Sequence, residues 1–270
     1  MVPRLVSLKA RLLPHGWLDV LRQFALLGLA YLAYTIVRGL VEGRANAAFQ
    51  HARDVINLER TLHLFVEPSI QAWAMSSHLL MTLASWTYLN AQTSVTLGAL
   101  AYLYVVHNRS FYFVRNMFLI AMVLALAAYY VFPTAPPRFL PEWGFIDSVS
   151  DFTRVHASTS SLTGSAGSTL NPSKLVNLYA AVPSMHVAFA LMIAWPLASL
   201  SKWRLVRVLW MLYPLLITFV IIVTANHFIS DAVLGAVTAG VSAAGARALA
   251  RWRPAAWRFG AEPVSVGATG

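Results

Sequence analysis

The sequence has no cysteine and carries little charge, with only 11% of its 270 residues charged. Without cysteine the chain has no disulfide, no thiolate nucleophile and no cysteine-ligated metal site. An average soluble domain has roughly 25% charged residues, so a chain of this length with so few charges cannot cover its surface in water. Together with a hydrophobic content of 58%, the scarcity of charge indicates an integral membrane protein.

Acidic residues are especially scarce, since there are 20 basic and only 10 acidic residues and the net charge is +10. In a soluble protein such an excess would favour nucleic-acid binding. In a membrane protein, basic residues instead concentrate in cytoplasmic loops and set the orientation. We therefore expect the bilayer, and no nucleic acid, as the partner of the basic residues.

Runs of about 20 apolar residues mark the candidate transmembrane spans. The clear runs are 19–41, 112–132, 184–200, 205–225 and 228–249. The first run is too long for a signal peptide, so we expect a retained anchor. The region between residues 66 and 107 has two interpretations. It contains either two short spans, 68–89 and 92–107, or a surface helix near 66–80 followed by one span near 83–107.

The distribution of charge favours six spans. With both termini in the cytoplasm, thirteen basic residues lie on the cytoplasmic side and seven on the outer side, as the positive-inside rule requires. We predict an all-α protein, a polytopic six-transmembrane-helix bundle in the cell inner (plasma) membrane. Its single membrane domain is expected at 19–250, between a cytoplasmic N-terminus (1–18) and a cytoplasmic tail (251–270).

Two segments are expected outside the bilayer on the outer side. Residues 42–80 place apolar and charged positions at helical spacing, which is typical of amphipathic helices on the membrane surface. The expected apolar face consists of Val55, Ile56, Leu58, Leu62 and Phe65. Glu59 and Arg60 are expected to form a solvated pair. Residues 133–182 form a long outer loop rich in Pro, Ser, Thr and Gly, within which 158–168 is a candidate lid.

Polar residues gather in three short segments, which the six-span topology brings to the same outer face. They are 133–138 after one span, 183–186 at the start of the next, and 226–231 at the start of the last. Ser184 and Asn226 are both good N-cap residues. Each precedes an apolar helix whose first backbone N–H groups and positive dipole end would point outward. Two such helix ends close together would hold a phosphate.

The histidines in these segments suggest catalysis. His227 and Asp231 are four residues apart, so the carboxylate can accept from one ring nitrogen and leave the other as a nucleophile or base. His186 has no carboxylate at i+3 or i+4 and is better suited to donating a proton. The guanidinium of Arg138 offers paired N–H donors whose geometry matches two phosphate oxygens. Each residue alone has an ordinary structural explanation, but their joint occurrence favours a site. No HExxH motif is present, so we expect no metal and no cofactor.

Three stretches resemble the signatures of the type 2 phosphatidic acid phosphatase superfamily. They are YVFPTAPPRFL (130–140), NLYAAVPSMHVAFA (177–190) and TANHFISDAVLGA (224–236). Within that superfamily they are most similar to the branch containing inositol phosphorylceramide synthase and its bacterial relatives. INLERTLHLFVEPSIQ (56–71) and the residues 144–147 carry the same resemblance.

The resemblance implies a six-helix core and metal-free phosphoryl transfer through a phosphohistidine. It assigns His227 as the nucleophile, Asp231 as the residue that orients it, and His186 as the general acid. The expected phosphate-binding residues are Arg138, Ser184, Asn226 and Lys174.

The sequence departs from the usual pattern at two positions. The lysine of the first signature is replaced by Val131, and the arginine of the third by Ile221. Two phosphate-binding cations are therefore missing, which favours the transferase-like branch. Lys174 and Arg154 in the outer loop are candidates to compensate.

These observations favour an enzyme that acts on lipid-linked phosphate at the outer leaflet. With water as the acceptor it is a lipid phosphatase, and with an alcohol such as inositol or a glycolipid hydroxyl it is a transferase. The absence of a glycine-rich phosphate loop argues against a kinase. The alternative is a non-enzymatic lipid carrier or scramblase that retains the fold, which should tolerate His227→Ala.

Overall fold

The computed structural model describes residues 16–42, 44–153 and 179–252, and these residues are helical with no strand. The helices are α1 Gly16–Glu42, α2 Ala45–Thr61, α3 Glu67–Met75, α4 His78–Trp86, α5 Gln92–Val106, α6 Asn108–Val131, α7 Met185–Leu200, α8 Arg204–Val223 and α9 Ile229–Trp252. A π-helical turn, Thr87–Ala91, joins α4 to α5. Two 3-10 turns, Pro137–Phe139 and Pro141–Trp143, follow α6. The predicted all-α class is confirmed for the described part of the chain.

Three of these helices are long and apolar enough to cross a membrane. They are α6, α8 and α9, with mean hydropathies of 1.9, 2.3 and 1.4 in their most apolar windows. Helix α7 is apolar but shorter, at 16 residues. In the region with two interpretations, the chain forms the short helix α3 and then one helical run from residue 78 to residue 106. The division into one short and one long helical run corresponds to the second interpretation, and which of them lies at the surface or spans the bilayer stays a prediction. The six-span count and the domain boundaries stay predictions.

The bundle is built around α7, which packs against α5, α6, α8 and α9. Its contact with α6 and α9 is lined by Met117 and Ala121 of α6, Ala188 and Met192 of α7, and Ala239 and Ala246 of α9. Small side chains at such interfaces let helix backbones approach closely. The first turn of α7 carries His186, so this close packing also fixes the position of that histidine.

Helix α2 buries one stripe against the rest of the structure. The stripe consists of Ala48, Ala52, Val55, Ile56 and Glu59. Leu58 and Leu62 are 53% and 56% exposed and Phe65 is partly buried, so an apolar face that lies on the membrane surface stays a prediction. The expected solvated pair is wrong, because Glu59 is fully buried while the Arg60 guanidinium lies over the ring of Trp143. Glu59 is buried because of tertiary packing, since α2 packs against Leu140, Phe145 and Phe228.

A buried carboxylate attaches α1 to the bundle. Asp19, in the first turn of α1, is 2% exposed. It accepts hydrogen bonds from the Tyr112 hydroxyl at 2.6 Å, the Tyr104 hydroxyl at 3.0 Å and Gln23 Nε2 at 3.0 Å. Gln23 Oε1 in turn accepts from Arg115 Nη1 at 3.2 Å. This polar cluster links α1 to α5 and α6.

We expect Asp19→Ala to lower the thermal-unfolding midpoint in detergent. Each hydrogen bond to a charged group is worth about 1.5–3 kcal/mol, and the buried tyrosine hydroxyls would lose their acceptor. Arg22→Ala, on an exposed residue of the same helix, is the control and should change the midpoint little. Equal midpoints for the two variants would contradict the anchoring role of Asp19.

Candidate active site

Backbone hydrogen bonds join the three polar segments that the sequence analysis singled out. Thr134 N donates to Tyr179 O at 2.9 Å, in the stretch that leads to 183–186, and Arg138 N donates to Ala225 O at 2.8 Å, next to 226–231. Ser184 N donates to Asp231 O at 3.0 Å. Segments that are far apart in sequence therefore meet at the ends of α6, α7 and α9. The predicted convergence is present in the structure.

The two ring nitrogens of His227 have different partners. Acceptors hold Nδ1, and Nε2 faces His186. Nδ1 lies 2.9 Å from the carbonyl oxygen of Ala181 and 3.2 Å from Oδ2 of Asp231. Because both partners are acceptors, Nδ1 carries the proton and Nε2 carries the lone pair. Nε2 faces Nδ1 of His186 at 3.3 Å. The Ala181 carbonyl was missed by the sequence analysis, since a backbone acceptor leaves no side-chain signature.

His186 is positioned by an aromatic neighbour as well as by its helix. Its ring stacks on Tyr88 with a centroid distance of 4.8 Å and an interplanar angle of 22°. Tyr88 belongs to the π-helical turn between α4 and α5, and such turns occur frequently at functional sites. Neither Tyr88 nor the π turn was predicted from the sequence.

Ser184 occupies the predicted N-cap position of α7 but does not cap it. Its side chain makes no capping hydrogen bond, and its fully buried Oγ has no partner among the described residues. The expected capping bond is therefore wrong. An unpartnered buried hydroxyl is costly, and Ser184 lies two residues before His186. This placement suits a hydroxyl that binds a ligand.

Asn226 has a different role from the one predicted. Helix α9 begins at Ile229, so Asn226 is too early to be its N-cap. Its Oδ1 accepts a hydrogen bond from Nη1 of Arg138, while its Nδ2 donates to the backbone and side-chain oxygens of Thr224. Asn226 thus orients the guanidinium of Arg138, whose Nε is buried without a partner in the described chain.

The N-terminus of α9 is not available to a phosphate, which corrects the expectation of two open helix ends. Oε1 of Glu67 accepts from the backbone N–H of Ile229 at 2.9 Å. Oε1 of Glu59 accepts from the backbone N–H of Ser230 at 2.7 Å and from its hydroxyl. Carboxylates are favourable at this end of a helix. Only the N-terminus of α7 is left to face a ligand.

Glu59 and Glu67 form a fully buried pair of carboxyl groups. Burial, and then the hydrogen bond to Glu67, raise the pKa of Glu59 from 4.5 to about 8. The Oε2 atom of each residue has no other partner within the described ranges. One proton shared between the two groups would satisfy both, because two adjacent carboxyl groups in a buried site cannot both ionise at low cost.

No basic side chain takes the place of the two missing cations at residues 131 and 221. Val131 is 71% exposed, and Ile221 is fully buried in an apolar cluster with Val187 and Ile217. Arg138 is consequently the cation that the three polar segments supply. Lys174 and Arg154, the candidates to compensate, and the candidate lid 158–168 lie outside the described residues.

A family model described as the PAP2 superfamily matches residues 53–245. The match covers more than half of the chain and includes all three polar segments, so the chain belongs to the PAP2 superfamily. Membership suggests a phosphatase or phosphotransferase. No curated protein and no solved structure matches the chain significantly.

The contact between α7 and α9 yields a prediction about Gly235. A Cβ added at Gly235 would overlap the carbonyl oxygen of Ser184 and lie 3.3 Å from Cβ of Val187. Gly235→Ala should therefore push the first turn of α7 away and separate His186 from His227. Misplacement by about 1 Å can cost on the order of 10²-fold in rate.

Gly240→Ala on the same helix is the matched control, because a Cβ at Gly240 meets nothing within 4 Å. It should keep the activity of the wild type and gain slightly in stability from the better helix propensity of alanine. Equal turnover by the two variants would show that the contact between Gly235 and Ser184 does not position the histidines.

The raised pKa of Glu59 predicts a pH dependence of stability. Between its ordinary pKa of 4.5 and its folded-state pKa of about 8, the folded protein binds more protons than the unfolded chain. Stability should then be greatest below the lower value and fall as the pH rises toward the higher one. Unfolding midpoints measured across this range should show that decline.

Glu59→Gln should flatten the decline, since the amide stays neutral and its oxygen can still accept from Ser230. Glu142→Gln, on a half-exposed side chain, serves as the control and should leave the decline intact. A decline that is the same in wild type and Glu59→Gln would mean that another group titrates.

Proposed function

We propose that this protein is a metal-independent phosphotransferase or phosphatase that acts on lipid-linked phosphate at the outer leaflet. The observation that carries the proposal is the geometry of His227. Its Nδ1 is fixed by Ala181 and Asp231, and its Nε2 is directed at His186. A nucleophile held in one tautomer beside a second titratable group is the arrangement that covalent catalysis requires.

In the proposed reaction, Nε2 of His227 attacks phosphorus and forms a phosphohistidine. The bond between phosphorus and the lipid oxygen breaks, and that oxygen leaves with the electron pair and takes a proton from His186. Water or an alcohol then attacks the phosphohistidine and gives its proton to His186, which returns His227 to its starting form. Asp231 keeps the proton on Nδ1 throughout and stabilises the ring as it gains positive charge.

The phosphate oxygens would be bound at the start of α7. Ser184 offers an unpartnered hydroxyl, and the first backbone N–H groups of α7 have no acceptor within their own helix. Arg138 contributes charge, with Asn226 orienting its guanidinium. Lys174 remains part of the proposal as a further phosphate-binding residue.

The finer proposal is a transferase similar to inositol phosphorylceramide synthase, with inositol or another alcohol as the acceptor. It is supported by the apolar residues Val131 and Ile221, where ordinary phosphatases of this kind carry cations. A phosphatase and a transferase share the first step and differ in which acceptor attacks the phosphohistidine. Adding inositol to the assay therefore distinguishes them, because a transferase should form a new phosphodiester or phosphomonoester.

The roles of the two histidines can be separated by the leaving group. In buffer containing EDTA, His186→Ala should slow cleavage of an alkyl phosphate by about 10²–10⁴-fold, because general acid catalysis is worth that much. It should largely spare an activated aryl phosphate, whose leaving group needs no proton. His227→Ala should remove activity on both substrates.

Three outcomes would contradict this assignment. Equal losses on both substrates in His186→Ala would mean that it is not the general acid. Turnover by His227→Ala would exclude it as the nucleophile. Loss of wild-type activity in EDTA, restored by a divalent ion, would overturn metal independence.

A carrier or scramblase would show lipid transport that survives His227→Ala.

The proposed orientation places the site on the extracytoplasmic side of the plasma membrane. Since the natural chain has no cysteine, a single introduced thiol reports its own location. We expect Glu142→Cys, beside the site, to react with an impermeant thiol reagent in intact cells. Lys202→Cys, in the connection between α7 and α8, should react only after lysis. The reverse labelling pattern would contradict the proposed orientation and place the site on the cytoplasmic side.

A further inference from the structure

A cavity of about 530 Å³ lies between α1, α5, α6 and α7, and His186 is one of its lining residues. Its upper end is formed by His186, Tyr88 and Gln92. The walls below are mostly apolar, with Leu100 and Ala101 from α5 and Leu119 and Met122 from α6 among them. A cavity of this volume is in the range of small-molecule sites, and the mechanism described above uses only its mouth.

The length of the cavity matches one lipid chain. Along α5 it extends from Gln92 to Tyr104, which is about 18 Å of helix. Half of a hydrocarbon core is about 15 Å thick. Near the lower end, Gln23, Tyr104 and Arg115 add polar groups beside the apolar Val20, Val105 and Phe111, and these polar residues belong to the cluster around Asp19. A hydrocarbon chain that starts at His186 would therefore meet these polar groups, which form the polar part of the floor, after about one leaflet.

The cavity is open on one side, between α1 and α5. Two of its lining residues, Phe24 and Leu97, are 67% and 51% exposed. These exposed apolar side chains form a rim through which a chain can enter laterally from the bilayer. The groove is thus accessible to a lipid whose phosphate stays at the level of the histidines.

Two polar atoms near the mouth have no partner in the described chain. They are Oε1 of Gln92 and Oγ1 of Thr96, and both residues line the cavity and are at least nine-tenths buried. Nε2 of the Gln92 amide donates to the carbonyl oxygen of Met185. This bond leaves Oε1 as a hydrogen-bond acceptor for a different partner. A buried unpaired acceptor is costly and calls for a donor on the ligand.

We infer that this groove binds one hydrocarbon chain of the lipid phosphate, and that the lipid carries a hydroxyl or amide N–H close to its phosphate. Gln92 and Thr96 receive that polar group, and the floor at Tyr104 and Arg115 limits the length of the chain. The inference rests on the proposed function and names the class of lipid that the site accepts.

Alkylphosphonates test the groove without any chemistry, because their carbon–phosphorus bond is not cleaved by phosphoryl transfer. Binding of butyl-, octyl-, dodecyl- and hexadecylphosphonate would be measured by titration of the purified full chain in nanodiscs. The affinity should rise by at least about tenfold from butyl to dodecyl, since each buried methylene adds to binding. It should rise no further once the chain reaches the polar floor.

Ala101→Phe should fill the groove and reduce the affinity for dodecylphosphonate to that for butylphosphonate. Gly98→Phe is the matched control on the same helix, because a Cβ at Gly98 meets nothing within 4 Å. Partitioning of the probe into the bilayer affects both variants equally, so it cancels in their comparison. If Ala101→Phe and Gly98→Phe bind dodecylphosphonate alike, the chain does not lie in this groove.

A hydroxylated probe tests the polar part of the inference. The wild type should bind 2-hydroxydodecylphosphonate several-fold more tightly than dodecylphosphonate, and Gln92→Leu with Thr96→Val should remove that preference. No preference in the wild type would overturn the assignment of Gln92 and Thr96. These experiments measure binding alone, and phosphoryl transfer is measured separately in the activity assay. A chain-length effect in a protein that transfers no phosphoryl group would reject the proposed function and leave the groove in place.

Discussion

The hydrogen bonds between two buried carboxyl groups and the first turn of α9 are the contacts on which the site depends. Glu59 and Glu67 come from α2 and α3, and they accept from Ser230 and Ile229. These bonds fix the start of α9. The same turn carries Asp231, which orients His227 through its side chain and holds Ser184 through its backbone carbonyl. Helices α2 and α3 are therefore structural supports of His227 and of the first turn of α7.

The raised pKa of Glu59 also matters for the charge of the site. A substrate phosphate brings negative charge, and the three polar segments provide Arg138 as their cation. Ionised glutamates at the start of α9 would oppose the negative charge of that phosphate in a medium of low dielectric constant. With Glu59 protonated at neutral pH, as its raised pKa of about 8 implies, one of these opposing charges is removed. A site with few cations can then still hold a phosphate.

The parts of the site that depend on local spacing were predictable from the sequence. The spacing of four between His227 and Asp231 predicted their contact, and they do meet although His227 lies two residues before α9 begins at Ile229. The three segments could be placed on one face because alternating spans return the chain to the same side. The roles of Glu59, Asn226 and the Ala181 carbonyl were not predictable. They depend on how α2 packs against α9 and on where α9 begins, and long-range packing decides both.

The central claim is that phosphate is transferred through His227, and trapping the covalent intermediate tests it most directly. The enzyme would be mixed with a lipid phosphate labelled in its phosphate group, quenched in alkali within a single turnover, and digested for mass spectrometry. The account predicts a phosphorylated peptide that contains residues 224–231, with the phosphate on His227. A label on any other residue, or turnover in which no phosphoenzyme forms at any time, would contradict it.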